Sequence, residues 1–455
     1  MTSSRHGWGY SARRLGLLGG DTAMIGGLLG GLVGGGTAVI VTELIKRVLA
    51  IASRQGMWGV ILVPLCGLTI AVAILHAYSH GKALQTIAPE PVQPPRRRWG
   101  LNWRDPRDVI RADLTADVLA TAGEEERFPW RLAPIRAVAI VATVGSGAPM
   151  GTESPAAHIG VASAVAVTDR GGWSRRIVRP AGVSGGAAGV SALVGIPLVG
   201  TAFMLELARR RRIPLSAERV MAALIGGFVG WAINAAFDLD LIRLSVPQVA
   251  PGDLLIALKT ALVAGATAGT ITSLTGAAIY RARGWHANPT FRLVTGGLAV
   301  AAASIAIATI ATPSAAIGPG ASTAAWAETT DAGALVLLAV ALLRAVATTA
   351  AVAAGGCGGV FVPFLAIGDV AGRTFAPAFD VPSNLAGSAG AAGGIAGGYR
   401  LPITAAMLVL GVGGPYSARL TCLATVAVAT IAGVGAALAL DRLTSRSRSI
   451  TAAKS

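Results

Sequence analysis

One acidic side chain stands where an acid is costly. Glu153 lies in Gly151-Thr-Glu153-Ser-Pro155, inside a largely apolar stretch, with proline two residues after it. An ionisable group in such a setting points to function, because a bare charge is expensive in a bilayer. Proline is favoured in the first turn of a helix, where its missing N–H would have no partner anyway. Glu153 is therefore expected at a helix start, where free backbone N–H groups and the positive end of the helix dipole converge. That arrangement attracts an anion, and the carboxylate is itself one. A second proline-led start, Gly359-Val-Phe361-Val-Pro363, carries phenylalanine at the acid's position. The expected chemistry is coordination of a small anion by main chain at Thr152, Glu153 and Ser154 and at Val360, Phe361 and Val362.

Other reactive side chains read as structure. Cys66, Cys357 and Cys422 have no CxxC or Cys/His spacing, so neither a metal site nor any cofactor is expected. His158, one turn into the helix that Glu153 opens, reads as a hydrogen-bonded packing residue, with a proton relay as the sharper alternative. Glu206 reads as interfacial, pairing with Arg209 or Arg210, and Asp369 as helix-terminal or interfacial without a role. Gly182-Val-Ser184-Gly185 fits the nucleophile motif of intramembrane serine proteases, but the only histidine after it is His286, in a polar connection. Catalysis is thus a distant alternative, as is a structural membrane protein without transport.

The elements that must position Glu153 are set by composition. The 455 residues are 53% hydrophobic and 13% charged, with 60 glycines, and the mean hydropathy is +0.64. A soluble domain does not tolerate such a balance, and an all-α polytopic membrane protein follows. Apolar runs at Met24–Leu44, Trp58–Ala77, Val220–Ala236, Leu254–Ile279, Leu293–Ile310, Ala332–Ala354 and Thr421–Leu440 are long enough for a hydrocarbon core of ~30 Å. Shorter segments interrupted by glycine and proline read as half-helices buried against protein. The net charge of +16 sits in clusters flanking these runs, at Lys46 and Arg47, Arg96 to Arg98, Arg209 to Arg212, Arg281, and Arg442, Arg446 and Arg448. That is the pattern of basic residues left on the cytoplasmic side beside anionic headgroups, so both termini are expected there, and nucleic acid is not an expected partner. The first apolar run exceeds a signal-peptide core and reads as a retained helix.

The chain repeats itself. The segment from Gly182 through Pro197 to Glu206 resembles that from Gly387 through Pro402 to Gly411, with the prolines 205 positions apart. Glu153-Ser-Pro155-Ala-Ala-His-Ile-Gly160 matches Phe361-Val-Pro363-Phe-Leu-Ala-Ile-Gly368 at an offset of 208. Two pairs at nearly one offset imply homologous halves. Broken helices meeting between such halves are a general way of holding a charged substrate at mid-membrane. The expected organisation is an N-terminal cytoplasmic segment over 1–22, a transmembrane domain over 23–440 and a basic cytoplasmic tail over 441–455. Within the domain the repeats cover about 23–237 and 250–440, and a polar insertion over 88–130 carries a short helix around Val109 to Leu119.

With these residues assembled, the chain resembles the chloride-channel (CLC) family. Gly151-Thr-Glu153-Ser-Pro155 is similar to its G-(K/R)-E-G-P signature, Gly359-Val-Phe361-Val-Pro363 to its G-x-F-x-P partner, and Arg131-Leu-Ala-Pro134-Ile-Arg136 to the start of the helix before the glutamate. The resemblance implies a fold of two inverted repeats with broken and half-membrane helices, transport of chloride or a similar small anion gated by protonation of Glu153, and a homodimer with one pore per subunit in the cell membrane. Thr152 and Ser154 depart from the signature. The family's serine-bearing anion loop is absent: its place falls on Arg111-Ala112-Asp-Leu-Thr115, making Ala112 and Thr115 candidates for an inner loop, or on Ser79-His80-Gly81-Lys82. The family's inner-gate tyrosine has no counterpart near Arg442, and its inner proton-accepting glutamate falls on Leu207. Loss of that acid favours channel-like or weakly proton-coupled movement. The alternative is a proton-coupled antiporter with another inner route.

Overall fold

A computed structural model describes residues 19–54, 56–79, 128, 130–210, 212–237, 239, 246, 249–285, 287–413 and 419–452. Most of the 88–130 insertion, with its expected helix, lies outside these, as do Ala112, Thr115, His80 to Lys82 and His286.

Among the described residues the architecture is helical, and its one β-bridge joins Gly151 to Gly359. The first half runs α1 (Gly19–Ser53), α2 (Gly56–Ser79), a 3-10 turn at Trp130–Leu132, α3 (Ala133–Gly145), α4 (Glu153–Arg170), α5 (Arg175–Val194), α6 (Pro197–Arg210) and α7 (Ala217–Phe237). The second opens with a 3-10 turn at Pro251–Asp253, then α8 (Leu254–Arg283), α9 (Pro289–Ile310), the short α10 (Pro313–Ala316) and α11 (Ala321–Thr329), and α12 (Ala334–Ala353). It ends with α13 (Phe361–Arg373), α14 (Ala376–Phe379), α15 (Ser383–Tyr399), α16 (Pro402–Val412) and α17 (Leu420–Ala452). Helix α17 continues well past residue 440, into the segment expected as a tail.

Eight described helices are long and apolar enough to cross a membrane. Seven coincide with the apolar runs above. The eighth, α5, is the least apolar of them because it is rich in glycine, alanine and serine, and it is buried among other helices where small residues admit close neighbours. Helices α3 and α13, at 13 residues each, rise only about 20 Å and cannot span a bilayer alone.

The duplication is visible in packing. Helix α1 lies on α5 and α7 as α8 lies on α15 and α17, while α4 lies on α5 as α13 lies on α15. Glycines set the approach in both halves. A Cβ on Gly185 would stand 2.4 Å from the Gly160 carbonyl oxygen, and one on Gly390 would stand 2.1 Å from that of Gly368. Gly151 and Gly359, equivalent at the 208 offset, exchange both hydrogen bonds, N to O 2.6 and 2.8 Å, in an antiparallel bridge. Equivalent residues paired antiparallel lie across a local two-fold axis, which is how inverted repeats meet.

Candidate functional site

The bridge brings the two proline-led helix starts together. Glu153 is the first residue of α4 and Phe361 the first of α13, and Pro155 and Pro363 sit in their first turns. Thr152, Glu153, Ser154, Val360, Phe361 and Val362 are all buried, and the Gly151–Gly359 bridge sets the two segments that carry them side by side. Helix starts leave N–H groups without partners. Here the Glu153 side chain lies close to N–H groups of both starts, those of Thr152 and Glu153 in the first and Val362 in the second.

The carboxylate lies within reach of main-chain N–H groups from both repeats. Thr152 Oγ1 donates to Glu153 Oε1 at 3.1 Å, and the backbone N–H groups of Thr152, Glu153 and Val362 face the carboxylate. Oε2 is enclosed and closes no hydrogen bond with any of them. Gly151 makes room for this: a Cβ there would lie 2.8 Å from Oε2 and 3.5 Å from the Val362 nitrogen.

Aromatic rings close one side. Phe203 of α6 meets Phe361 edge-on at 6.0 Å, and Tyr399, at the end of α15, meets Phe361 at 5.3 Å and Phe364 at 5.7 Å. The Tyr399 hydroxyl is 2.9 Å from the Ser154 hydroxyl, and Arg210 Nη1 donates to the Tyr399 carbonyl at 2.7 Å. Tyr399 was not singled out in the sequence. Its one signal is position, immediately before the Arg400-Leu-Pro402 turn that repeats Gly195-Ile-Pro197 of the first half.

Two buried arginines lie on the helices that precede the two half-helix starts. Arg136 Nη1 donates to His158 Nε2 at 3.2 Å, and the His158 ring tilts against Phe128 at 5.2 Å, in keeping with a hydrogen-bonded packing role. Arg344 donates to the carbonyls of Ala316 at 3.2 Å and Gly318 at 2.7 Å. Arg344 lies 208 positions after Arg136, each on the helix preceding a half-helix start, so the repeat offset could have found it.

Two expectations, for Glu206 and Asp369, need correction. Glu206 does not pair with Arg209 or Arg210; it accepts from the N–H groups of Ile403 at 2.9 Å and Thr404 at 2.7 Å and from Thr404 Oγ1 at 2.6 Å. The start of α16 supplies unpartnered N–H groups and a positive dipole end, which outcompete a solvated arginine. Asp369 is not interfacial: it is sealed inside and bound to Arg373 at 3.0 and 3.2 Å. Ser184, sealed beneath α1, donates its hydroxyl to the Gly27 carbonyl, so the protease-like motif serves packing. Leu207 is core. No cluster of metal-ligating side chains occurs among the described residues.

The sequence profile described as Voltage gated chloride channel matches residues 113–433. An H(+)/Cl(-) exchange transporter ClcA of Yersinia pestis is 25% identical over 324 residues, 67% of this chain and 66% of that protein. Its counterpart from Vibrio parahaemolyticus is 28% identical over 324 residues, 67% of this chain and 68% of that one. The chain thus spans just under two thirds of the Yersinia protein. A slow cyanobacterial Cl-/H+ antiporter aligns with TM-score 0.66 at 18% identity, covering 93% of this chain and 97% of its own. A CLC-type fluoride/proton antiporter aligns with TM-score 0.63 at 18% identity, covering 95% and 98%. At these identities the two structures speak for the fold.

Proposed function

Because the chain belongs to the voltage gated chloride channel family, we propose that it moves chloride or a similar small inorganic anion across the cell membrane, gated by Glu153. The observation that carries this is the enclosed Glu153 carboxylate lying among main-chain N–H groups from both repeats. A set of donors without a fixed counter-charge is built for an exchangeable anion. While ionised, Glu153 fills the set and blocks it. Protonation removes the charge, the side chain leaves, and an anion takes its place on the N–H groups of Thr152 to Ser154 and Val360 to Val362.

Movement is channel-like or weakly proton-coupled in this proposal, since Leu207 is apolar core where the family's inner acid is expected, and Glu206 beside it is committed to α16. Full antiport through another inner route is the second reading, favoured by the relatives that are named exchangers. The proposed assembly is a homodimer with one pathway per subunit and cytoplasmic termini.

The test is flux from proteoliposomes followed with chloride and pH electrodes together. Native protein is expected to release chloride faster as pH falls, because the blocking group is the ionised form. Glu153→Gln removes the charge at constant shape, so flux is expected to lose its acid activation, and any proton movement with it. Retention of both by the variant refutes Glu153 as the gate.

A further inference from the structure

We infer that the end of α8 opposite Arg283 carries a lipid site, built for a phospholipid with a phosphoethanolamine headgroup. A pocket of about 580 Å³ lies there, lined by Leu255, Ile256 and Lys259 of α8 and by Phe379 and Asp380 at the end of α14. Leu255 and Ile256 are exposed on the first turn of a membrane-crossing helix, so the wall they form faces acyl chains. Lys259 is exposed as well, one turn further in. At the α-helical rise its Cα lies about 7–8 Å along α8 from Leu254, near the boundary between headgroups and hydrocarbon. A lysine at that depth rests its stem on apolar surface and carries its ammonium out to the phosphate level.

The opposite wall supplies the other charge. Asp380 is exposed and closes α14 at φ 52°, in the left-handed region, where a glycine would carry no steric cost. Neither Asp380 nor Lys259 closes an ion pair among the described residues, although they line one pocket. A cation and an anion held apart across an open space match a ligand that bears both charges itself. Phosphoethanolamine does: its phosphate answers Lys259, and its primary ammonium, an N–H donor, answers Asp380. Asp253, next to Gly252 in the turn before α8, adds a second exposed carboxylate beside the pocket. Two carboxylates against one ammonium disfavour an anionic headgroup, and a quaternary ammonium has no N–H to offer them.

The experiment is thermal unfolding of the purified full chain in detergent, titrated with dioctanoyl phosphatidylethanolamine, phosphatidylcholine or phosphatidylglycerol. A ligand of the folded state raises the melting temperature in step with its concentration over Kd. The ethanolamine lipid is expected to reach half its effect at a concentration about tenfold below the other two, the low end for a hydrogen bond between charged groups. Lys259→Met removes the phosphate contact and should raise that concentration about tenfold. Asp380→Asn keeps a residue that tolerates the left-handed region, removes the charge, and should bring the ethanolamine and choline lipids together. Equal effects of the three headgroups on the native chain would mean that only acyl chains are held, and an ethanolamine response unchanged in both variants would place the lipid elsewhere; either overturns the inference. So does a pocket covered by a second copy, seen as insensitivity to lipid with loss of the dimer in Lys259→Met. If Lys259→Met fails to assemble, Asp380→Asn decides alone.

Discussion

Asp369 and Arg373 neutralise each other one turn apart on α13, and Arg373 reaches on to Ser383 at 3.2 Å and Asn384 at 2.7 Å. Both side chains are almost fully enclosed. Breaking such a pair leaves a stranded charge, whereas removing both partners costs much less. Arg373→Met is expected to destabilise the protein by ~3–5 kcal/mol, read as thermal unfolding in detergent, and Asp369→Leu/Arg373→Met to recover most of that loss. A double variant no better than the single would show that the network to Ser383 and Asn384, not the charge pair, carries the stability. At this scale the sequence was legible where chemistry is local. Glu153 announced itself through the glycine before it and the proline after it. Tyr399 did not, because its partner Ser154 lies 245 positions away and no pattern along the chain records a contact across the repeat seam. Asp369 and Glu206 were misplaced for a related reason. An acid beside arginines looks solvated until the buried helix start or the enclosing core is known.

The half-helices owe their positions to glycine contacts that the repeat preserves. Gly160 against Gly185 in the first half corresponds to Gly368 against Gly390 in the second, and in both the contact is backbone to backbone. Nothing flexible can yield there. Gly390→Val is expected to push α13 off α15 and cost at least about 2 kcal/mol, the mid-range for overpacking. Gly435→Ala on α17, where a Cβ would meet nothing within 4 Å, should change stability by no more than about 1 kcal/mol. Equal melting temperatures for the two in detergent would contradict this packing account. The repeat itself was legible because proline and glycine positions survive divergence when backbone geometry demands them. One exchange was not. Gly195 ends α5 in the left-handed region at φ 72°, and its counterpart Arg400 ends α15 at φ 59°, a conformation that costs a side-chain-bearing residue roughly 1–2 kcal/mol. Arg400 is held by Asp441 at 2.6 Å, so a glycine's role passes to an arginine that also brings charge beside Tyr399.

At the scale of the whole molecule, the outer surface is apolar, with Ile40, Trp58, Leu62, Phe237, Leu255, Leu298 and Ile431 among many exposed large side chains, as a lipid-facing exterior requires. Charge gathers elsewhere. Arg210 donates to the Tyr399 carbonyl and lies near Arg400, Arg400 pairs with Asp441, and Arg283 lies near the Tyr399 ring, so the ends of α6, α8 and α15 and the Asp441 turn of α17 share one face. Arg209, Arg212 and Arg281 add to it. Basic residues at helix ends remain on the cytoplasmic side during insertion, so this face, with the Tyr399 side of the site, is expected to be cytoplasmic. Arg212 is exposed and follows α6 closely, which makes it a reporter. In a Cys66→Ser background, with Cys357 and Cys422 buried, Arg212→Cys is expected to react with a membrane-impermeant maleimide only after cells are permeabilised. Labelling in intact cells would invert the molecule. The three arginines beyond Tyr399 would then collect anions from outside, and Glu153 would answer to the pH of the cytoplasm instead.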